Sequence, residues 1–179
     1  MLEVYVKESE QYNEQTNEFI TIKPQILKLE HSLVSISKWE SKWHKSFLSS
    51  NDKTPEEIYD YIRCMTVNQV SPFVYDALTS KDYELIKAYI DDPMTATTVK
   101  DVPGARRNNE AITSELIYYW MVALQIPFEC EKWHINRLLT LIKVCNVKNQ
   151  PSKNMPRRDI LNQNRLLNEA RRSKYHTKG

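Results

Sequence analysis

The chain has 179 residues, 41% hydrophobic and 27% charged, a composition that excludes a wholly disordered polymer and suits one globular domain with a core of its own. Net charge is only +2, and two glycines in the whole chain exclude the glycine-rich phosphate cradle and the nucleotide hydrolysis built on it. Charge is nevertheless polarised: five glutamates stand against one lysine up to Phe19, and eight Lys/Arg against Asp159 and Glu169 from Pro151 onward.

In chain order, "LEVYV" and "FITIK" are rich in β-formers and "ILKLEHSLVSI" alternates in part, so a small antiparallel sheet is expected over residues 1–36. In "SISKWESKWHKSF", Ser37 stands three residues before Glu40, the capping-box spacing, which predicts a helix from about Lys38. On it Trp39, Trp43 and Phe47 share one face at i, i+4 and i+8, while Lys38, Lys42 and Lys45 turn largely elsewhere. That aromatic seam reads either as core or as a docking face, and Trp39, Trp43 and Phe47 are candidate partner contacts.

"TPEEIYDYIRCMT" carries Thr54 as N-cap, Pro55 at the first helical position and Glu57 to close a capping box. Its apolar side includes Ile58, Tyr61, Ile62 and Met65. "SKDYELIKAYIDD" predicts a third helix, capped by Ser80 and ended by Pro93. "PMTATTVKDVPGARRNNEA" then reads as a long loop or extended segment, the best candidate for a mobile element.

Two strongly hydrophobic helices follow, Glu110–Leu124 and Glu129–Val147, separated by "QIPF" and expected to form a central αα-hairpin. In the second, Ile135, Leu138, Leu139, Ile142 and Cys145 form an apolar stripe. "KNQPSKNMPRRD" interrupts, and Asp159–Arg172 resumes as a weakly amphipathic helix. The expected fold class is therefore α+β, predominantly helical: a single globular domain over 1–149, with a small sheet in 1–36 and mainly helices in 37–149, and a basic C-terminal helix with a flexible tail over 150–179.

Signals for chemistry are sparse. Glu131 and His134 in "ECEKWH" match half of a di-iron Glu-x-x-His site, but the second half and the further carboxylates are missing. Cys64, Cys130 and Cys145 are odd in number and form no CxxC pair, which suits buried thiols in a reducing compartment. No serine lies in a GxSxG elbow. The longest apolar run, Leu116–Leu124, has nine residues where a membrane span takes about 20, and no basic segment leads into an apolar stretch at the N-terminus. Neither membrane, metal nor cofactor is expected, and no residue is assigned a catalytic role. Arg157, Arg158, Arg165, Arg171 and Arg172 could meet phosphates, yet Tyr175 is the only ring near them. A partner-bound or disordered tail is therefore expected ahead of nucleic-acid binding.

"LEHSLVSISKWESKW", "PMTATTV", "ITSELIYYWMVALQIPFECEKWHINRLLTLIKVC" and "NRLLNEARRSKYHTKG" together resemble a family of small proteins encoded in the tail-gene modules of bacteriophages, often labelled tail assembly chaperones. The resemblance runs over most of the chain. It implies a non-enzymatic role in the host cytoplasm: coating the long helical tape-measure protein and recruiting tail-tube subunits. A structural subunit of the tail or neck, retained in the virion, is the main alternative, and a nucleic-acid-binding accessory protein a further one. Self-association is compatible with each. No catalytic residues come with the family.

Overall fold

A computed structural model describes the backbone of residues 1–13, 17–98, 110–149 and 157–175. The fold is α+β and mostly helical, and among the described residues the strands lie near the N-terminus. It divides into two compact units, Met1–Val147 and Lys148–Gly179.

Four short strands open the first unit: β1 (Leu2–Val6), β2 (Ser9–Asn13), β3 (Glu18–Ile22) and β4 (Gln25–Leu29). β1 pairs with β4 and β2 with β3, and the antiparallel register is unchanged from Leu2↔Leu29 through Val6↔Gln25 and Ser9↔Ile22 to Asn13↔Glu18. The two sheets are therefore successive parts of one long hairpin. Its ladder is broken where Lys7 and Glu8 face Lys23 and Pro24, because proline has no N–H to donate. On the near side of the break Val4, Val6, Leu27 and Leu29 are buried while Glu3 and Tyr5 are exposed, the period-2 pattern of a one-sided sheet. Past it the buried residue is Ile22, of the opposite parity to Leu27, so the hairpin turns its other face inward against a 3₁₀ turn at Pro72–Ala77. β2 escaped the sequence reading because "SEQYN" is polar and offers a single β-former.

The outer edge of β4 is occupied. Glu30 N–H donates to the Met65 carbonyl and Val67 N–H to that of Lys28, each at 2.9 Å. The Asn68 side chain then acts like a strand residue, accepting from Lys28 N–H at 2.9 Å and donating to the Ile26 carbonyl at 2.8 Å.

Helices α1 (Leu33–Trp43), α2 (Pro55–Met65), α3 (Ser80–Asp91), α4 (Ser114–Ala123) and α5 (Ile135–Asn149) complete the unit, with a second 3₁₀ turn at Phe128–Lys132. α2 starts as expected, with Thr54, Pro55 and Glu57 forming the capping box. α1 does not: its N-cap is Ser32, and Ser37 lies inside the helix. Burial overrides the capping signal here, because Leu33 and Ile36 are both fully buried and must be on the helix to reach the core. α3 is capped by Thr79 with Asp82, one residue before Ser80. α4 is capped by Thr113 and begins four residues after Glu110. The segment expected as one helix from Glu129 is a 3₁₀ turn, an extended Trp133 and only then α5. There the backbone pairs with the start of α1 instead: Ser32 and His134 form an antiparallel bridge, and Ile135 N–H donates to the His31 carbonyl at 2.8 Å.

The core brings together Leu27 and Leu29 from β4, Ile36 and Trp39 from α1, Met65 from α2, Ile117 and Met121 from α4, and Leu138 from α5, all fully buried. Of the α5 stripe, Ile135, Leu138 and Ile142 are buried, whereas Leu139 and Cys145 are half-buried at its margin. Ile58, expected on the apolar side of α2, is exposed. The second unit contains α6 (Arg157–Tyr175). The expected mobile loop falls largely on residues 99–109, and the expected interruption on 150–156, both outside the described residues.

Candidate functional site

The aromatic seam is a joint between α1 and α2. His44 adopts the left-handed conformation (φ 53°) that stops α1, so Phe47 is not on the helix; a turn returns its ring to 5.2 Å from Trp39, edge-on, and 3.9 Å from Tyr61, stacked. Trp39 is fully buried and its Nε1–H donates to the Glu57 carbonyl at 2.8 Å. Trp43 is half-buried and its Nε1–H donates to Asp60 at 2.8 Å, the same carboxylate that Lys42 meets at 2.5 Å. Lys45 pairs likewise with the buried Glu57, holding that carboxyl below its ordinary pKa. Trp39 is thus core and not a surface for a partner, while Trp43 and Phe47 keep only part of their area exposed.

Glu40, read from sequence as a capping partner of Ser37, spans a longer distance. Its carboxylate accepts from Phe47 N–H at 2.8 Å and from Ser114 N–H at 2.7 Å, tying the turn after α1 to the first residue of α4. The negative charge sits at a helix N-terminus, where the aligned peptide dipoles favour it. Glu40→Ala should strand two buried N–H donors and cost about 3 kcal/mol. Glu40→Gln, which keeps one acceptor, should cost about half of that in urea titrations.

Glu131 and His134 do not converge. Glu131 accepts from the Tyr118 hydroxyl at 2.9 Å, and His134 Nε2–H donates to the Tyr89 carbonyl at 2.9 Å. Among the described residues no group of three or more His, Cys, Asp or Glu is placed to hold a metal ion. Burial pushes the Cys64 and Cys130 thiols up, away from reactive thiolate character.

Two histidines far apart in sequence do meet. The His31 and His134 rings stand edge-on at 4.9 Å, and His31 Nδ1 lies 2.5 Å from the Tyr61 hydroxyl. With its proton on Nε2, neutral His134 has a bare Nδ1, buried and without a partner. Burial, and then the neighbouring His134, lower the His31 pKa to about 3; burial also lowers that of His134.

The surfaces are more distinctive than these interior groups. A cleft of about 520 Å³ lies between α4 and α5, with Ile112, Trp120, Leu139 and Ile142 on its apolar walls and Asp91 and Lys143 at its margin. On α4 and the following 3₁₀ turn, Tyr119, Val122 and Phe128 are 66%, 62% and 57% exposed. Tyr119 and Val122, one turn apart on α4, form an exposed apolar patch, and the half-buried Tyr118 packs beside Phe128 with ring centroids 6.4 Å apart. On the β2–β3 arm Tyr12 and Phe19 form an exposed cross-strand pair at 5.2 Å. The only sequence signal for the cleft and the patch was breadth: Leu116–Leu124 is apolar all round, more than a single buried face requires.

On α6, Arg158, Arg165, Arg171 and Arg172 are exposed and Arg157 is the first residue. Arg158, Arg165 and Arg172 recur every seven residues and so lie along one stripe. Arg165 forms an exposed ion pair with Glu169 at 3.1 Å. Among the described residues no helix is long and apolar enough to cross a membrane. No family model, curated protein or solved structure matches this chain.

Proposed function

We propose that this protein is a non-enzymatic tail assembly protein of a bacteriophage, a chaperone that acts in the host cytoplasm by holding tape-measure helices, tail-tube subunits or both. The resemblance in sequence supplies the class. The observation that carries the binding mode is the cleft between α4 and α5, whose Ile112, Trp120, Leu139 and Ile142 walls suit the apolar anchor of an amphipathic helix laid into a groove. Asp91 and Lys143 at the margin offer both signs of charge to the polar flanks of such a helix.

Co-expression with a helical tape-measure fragment tests this. The native chain should co-purify with the fragment, and Leu139→Asp, which places a charge in the cleft wall without emptying the core, should reduce recovery at least about tenfold, equivalent to about 1.4 kcal/mol. Undiminished recovery by a folded Leu139→Asp variant would remove the cleft from the reading. A structural subunit of the tail or neck is the second reading, favoured by the exposed Tyr12/Phe19 pair on β2 and β3. Peptide mass spectrometry of purified virions separates the two: a stoichiometric tail component supports the subunit, and presence in infected lysates alone supports the chaperone.

A further inference from the structure

The cleft between α4 and α5 carries an order of charge as well as apolar walls. One of its sides is a single face of α5, on which Asn136, Leu139, Thr140, Lys143 and Asn146 recur at i, i+3, i+4, i+7 and i+10. The end of α3 is fixed to the start of that face. The Asn136 side chain donates to the Ile90 carbonyl at 3.1 Å and to the Asp92 carbonyl at 2.8 Å, which sets Asp91 at this end of the cleft. The carbonyl end of the α3 dipole has the same sign as Asp91. Lys143 lies two turns beyond Asn136, about 10 Å along the helix axis, and Leu139 falls between them. Asp91 and Lys143 are both exposed, and among the described residues neither forms an ion pair. An anion, an apolar wall and a cation therefore follow one another along α5.

We infer that the cleft selects amphipathic helices by their order of charge: a cation that meets Asp91, an apolar anchor against Leu139 and Trp120, and an anion that meets Lys143. The two charges stand two turns apart on the partner, on the face that carries the anchor. This selectivity presupposes that the cleft holds helices, as proposed above, and names the chemistry of the helix it holds. Charge complementarity decides the occupant. A helix with cations at both places sets like charges together at Lys143, and one with anions at both does so at Asp91, so each is discriminated against by repulsion as well as by a lost attraction. The face from Asn136 to Asn146 is about 15 Å long, close to three turns. A contact of that length falls short of the roughly 1,000 Å² of a stable interface, so binding is weak and readily exchanged.

The test sets the full chain against three designed helical peptides that differ only at two positions, two turns apart on either side of a leucine anchor: Lys and Glu, Lys and Lys, or Glu and Glu. Fluorescence anisotropy of labelled peptides at about 0.05 M salt, where charges are little screened, should show the Lys/Glu peptide binding tightest. The margin should be about threefold to tenfold over each of the others, the effect of one exposed ion pair exchanged for a like-charge contact. Asp91→Lys should turn the preference to the Glu/Glu peptide, and Lys143→Glu should turn it to the Lys/Lys peptide. Glu10→Lys makes the same change in net charge as Asp91→Lys, but on β2 and outside the cleft, and should leave the Lys/Glu peptide first. Equal binding of the three peptides by the native chain overturns the proposal, as does absence of binding by any of them. So does a preference that Asp91→Lys and Lys143→Glu leave unchanged, or one that Glu10→Lys shifts equally. Co-purification with the tape-measure fragment separates this failure from that of the tail-assembly reading. A fragment retained through Leu139 beside peptides bound without discrimination means a cleft that holds helices but ignores their charge. Discriminated peptides beside a fragment that is not retained would leave the charge selection standing and remove the tape measure as partner.

Discussion

Trp39→Ala should destabilise the first unit by about 3–5 kcal/mol, the range for emptying a fully buried tryptophan site. Several losses coincide at this position. The ring is sealed from solvent, it stacks at 6.2 Å on Trp43 and receives Phe47 edge-on, and its Nε1–H satisfies the Glu57 carbonyl in the first turn of α2. Deletion therefore removes apolar area, leaves a cavity and removes the indole hydrogen bond to α2 together. Native domains are stable by only about 5–15 kcal/mol, so the variant should melt about 10 °C lower or more. Trp39→Phe, which restores most of the volume but not the donor, should lose about 1–2 kcal/mol. A change below about 0.5 kcal/mol for the alanine variant would mean that the α1–α2 joint is not part of the cooperative core.

Acid should expose the histidine pair. His31 has an ordinary pKa of 6.5 and, buried against His134, one of about 3 in the folded chain. The unfolded chain accordingly binds a proton that the folded chain refuses. Stability is complete above the unfolded value and falls as pH drops through the interval from 6.5 to about 3. From about pH 7 to about pH 5, His31 alone should remove about 2 kcal/mol, and about 4–5 kcal/mol in total once pH reaches the folded value. His134, lowered in the same direction, adds to the slope. Most carboxylates titrate below this upper interval, so denaturation midpoints measured between about pH 7 and pH 5 isolate the histidines. His31→Gln should be less stable than the native chain at neutral pH yet lose less on acidification. An equal slope in the two proteins would remove His31 as the cause.

Local chemistry was legible where it acts over a few residues. Thr54, Pro55 and Glu57 announce α2, and the alternation around Val4 and Val6 announces a strand. Ser37 and Glu40 show where that reading ends: the same spacing occurs inside α1 because Leu33 and Ile36 draw the helix start back toward the core. The partner of Glu40 is then the N–H of Ser114, which lies too far along the chain for any spacing rule to reach. Trp39, Trp43 and Phe47 do gather, as their periodicity predicts, but a left-handed His44 and a turn bring Phe47 there in place of a continuous helix. Likewise His31 and His134 belong to segments joined by a single bridge between Ser32 and His134. The cleft is made by side chains from α4, α5, the end of α3 and the segment before α4, and its existence depends on helix placement, which composition does not encode.

The break at Pro24 bears on how such a chain stays usable when crowded. A hairpin running unbroken from Leu2 to Leu29 would offer a long flat margin on which identical chains could stack into fibres. Each run of ladder is instead five residues long, with lysines and a proline at the join, and Asn68 seals the margin of β4. The molecule thus limits each run of exposed ladder to five residues, so that the apolar groups its strands do expose, Tyr12 and Phe19 among them, stand on a margin too short for open-ended stacking.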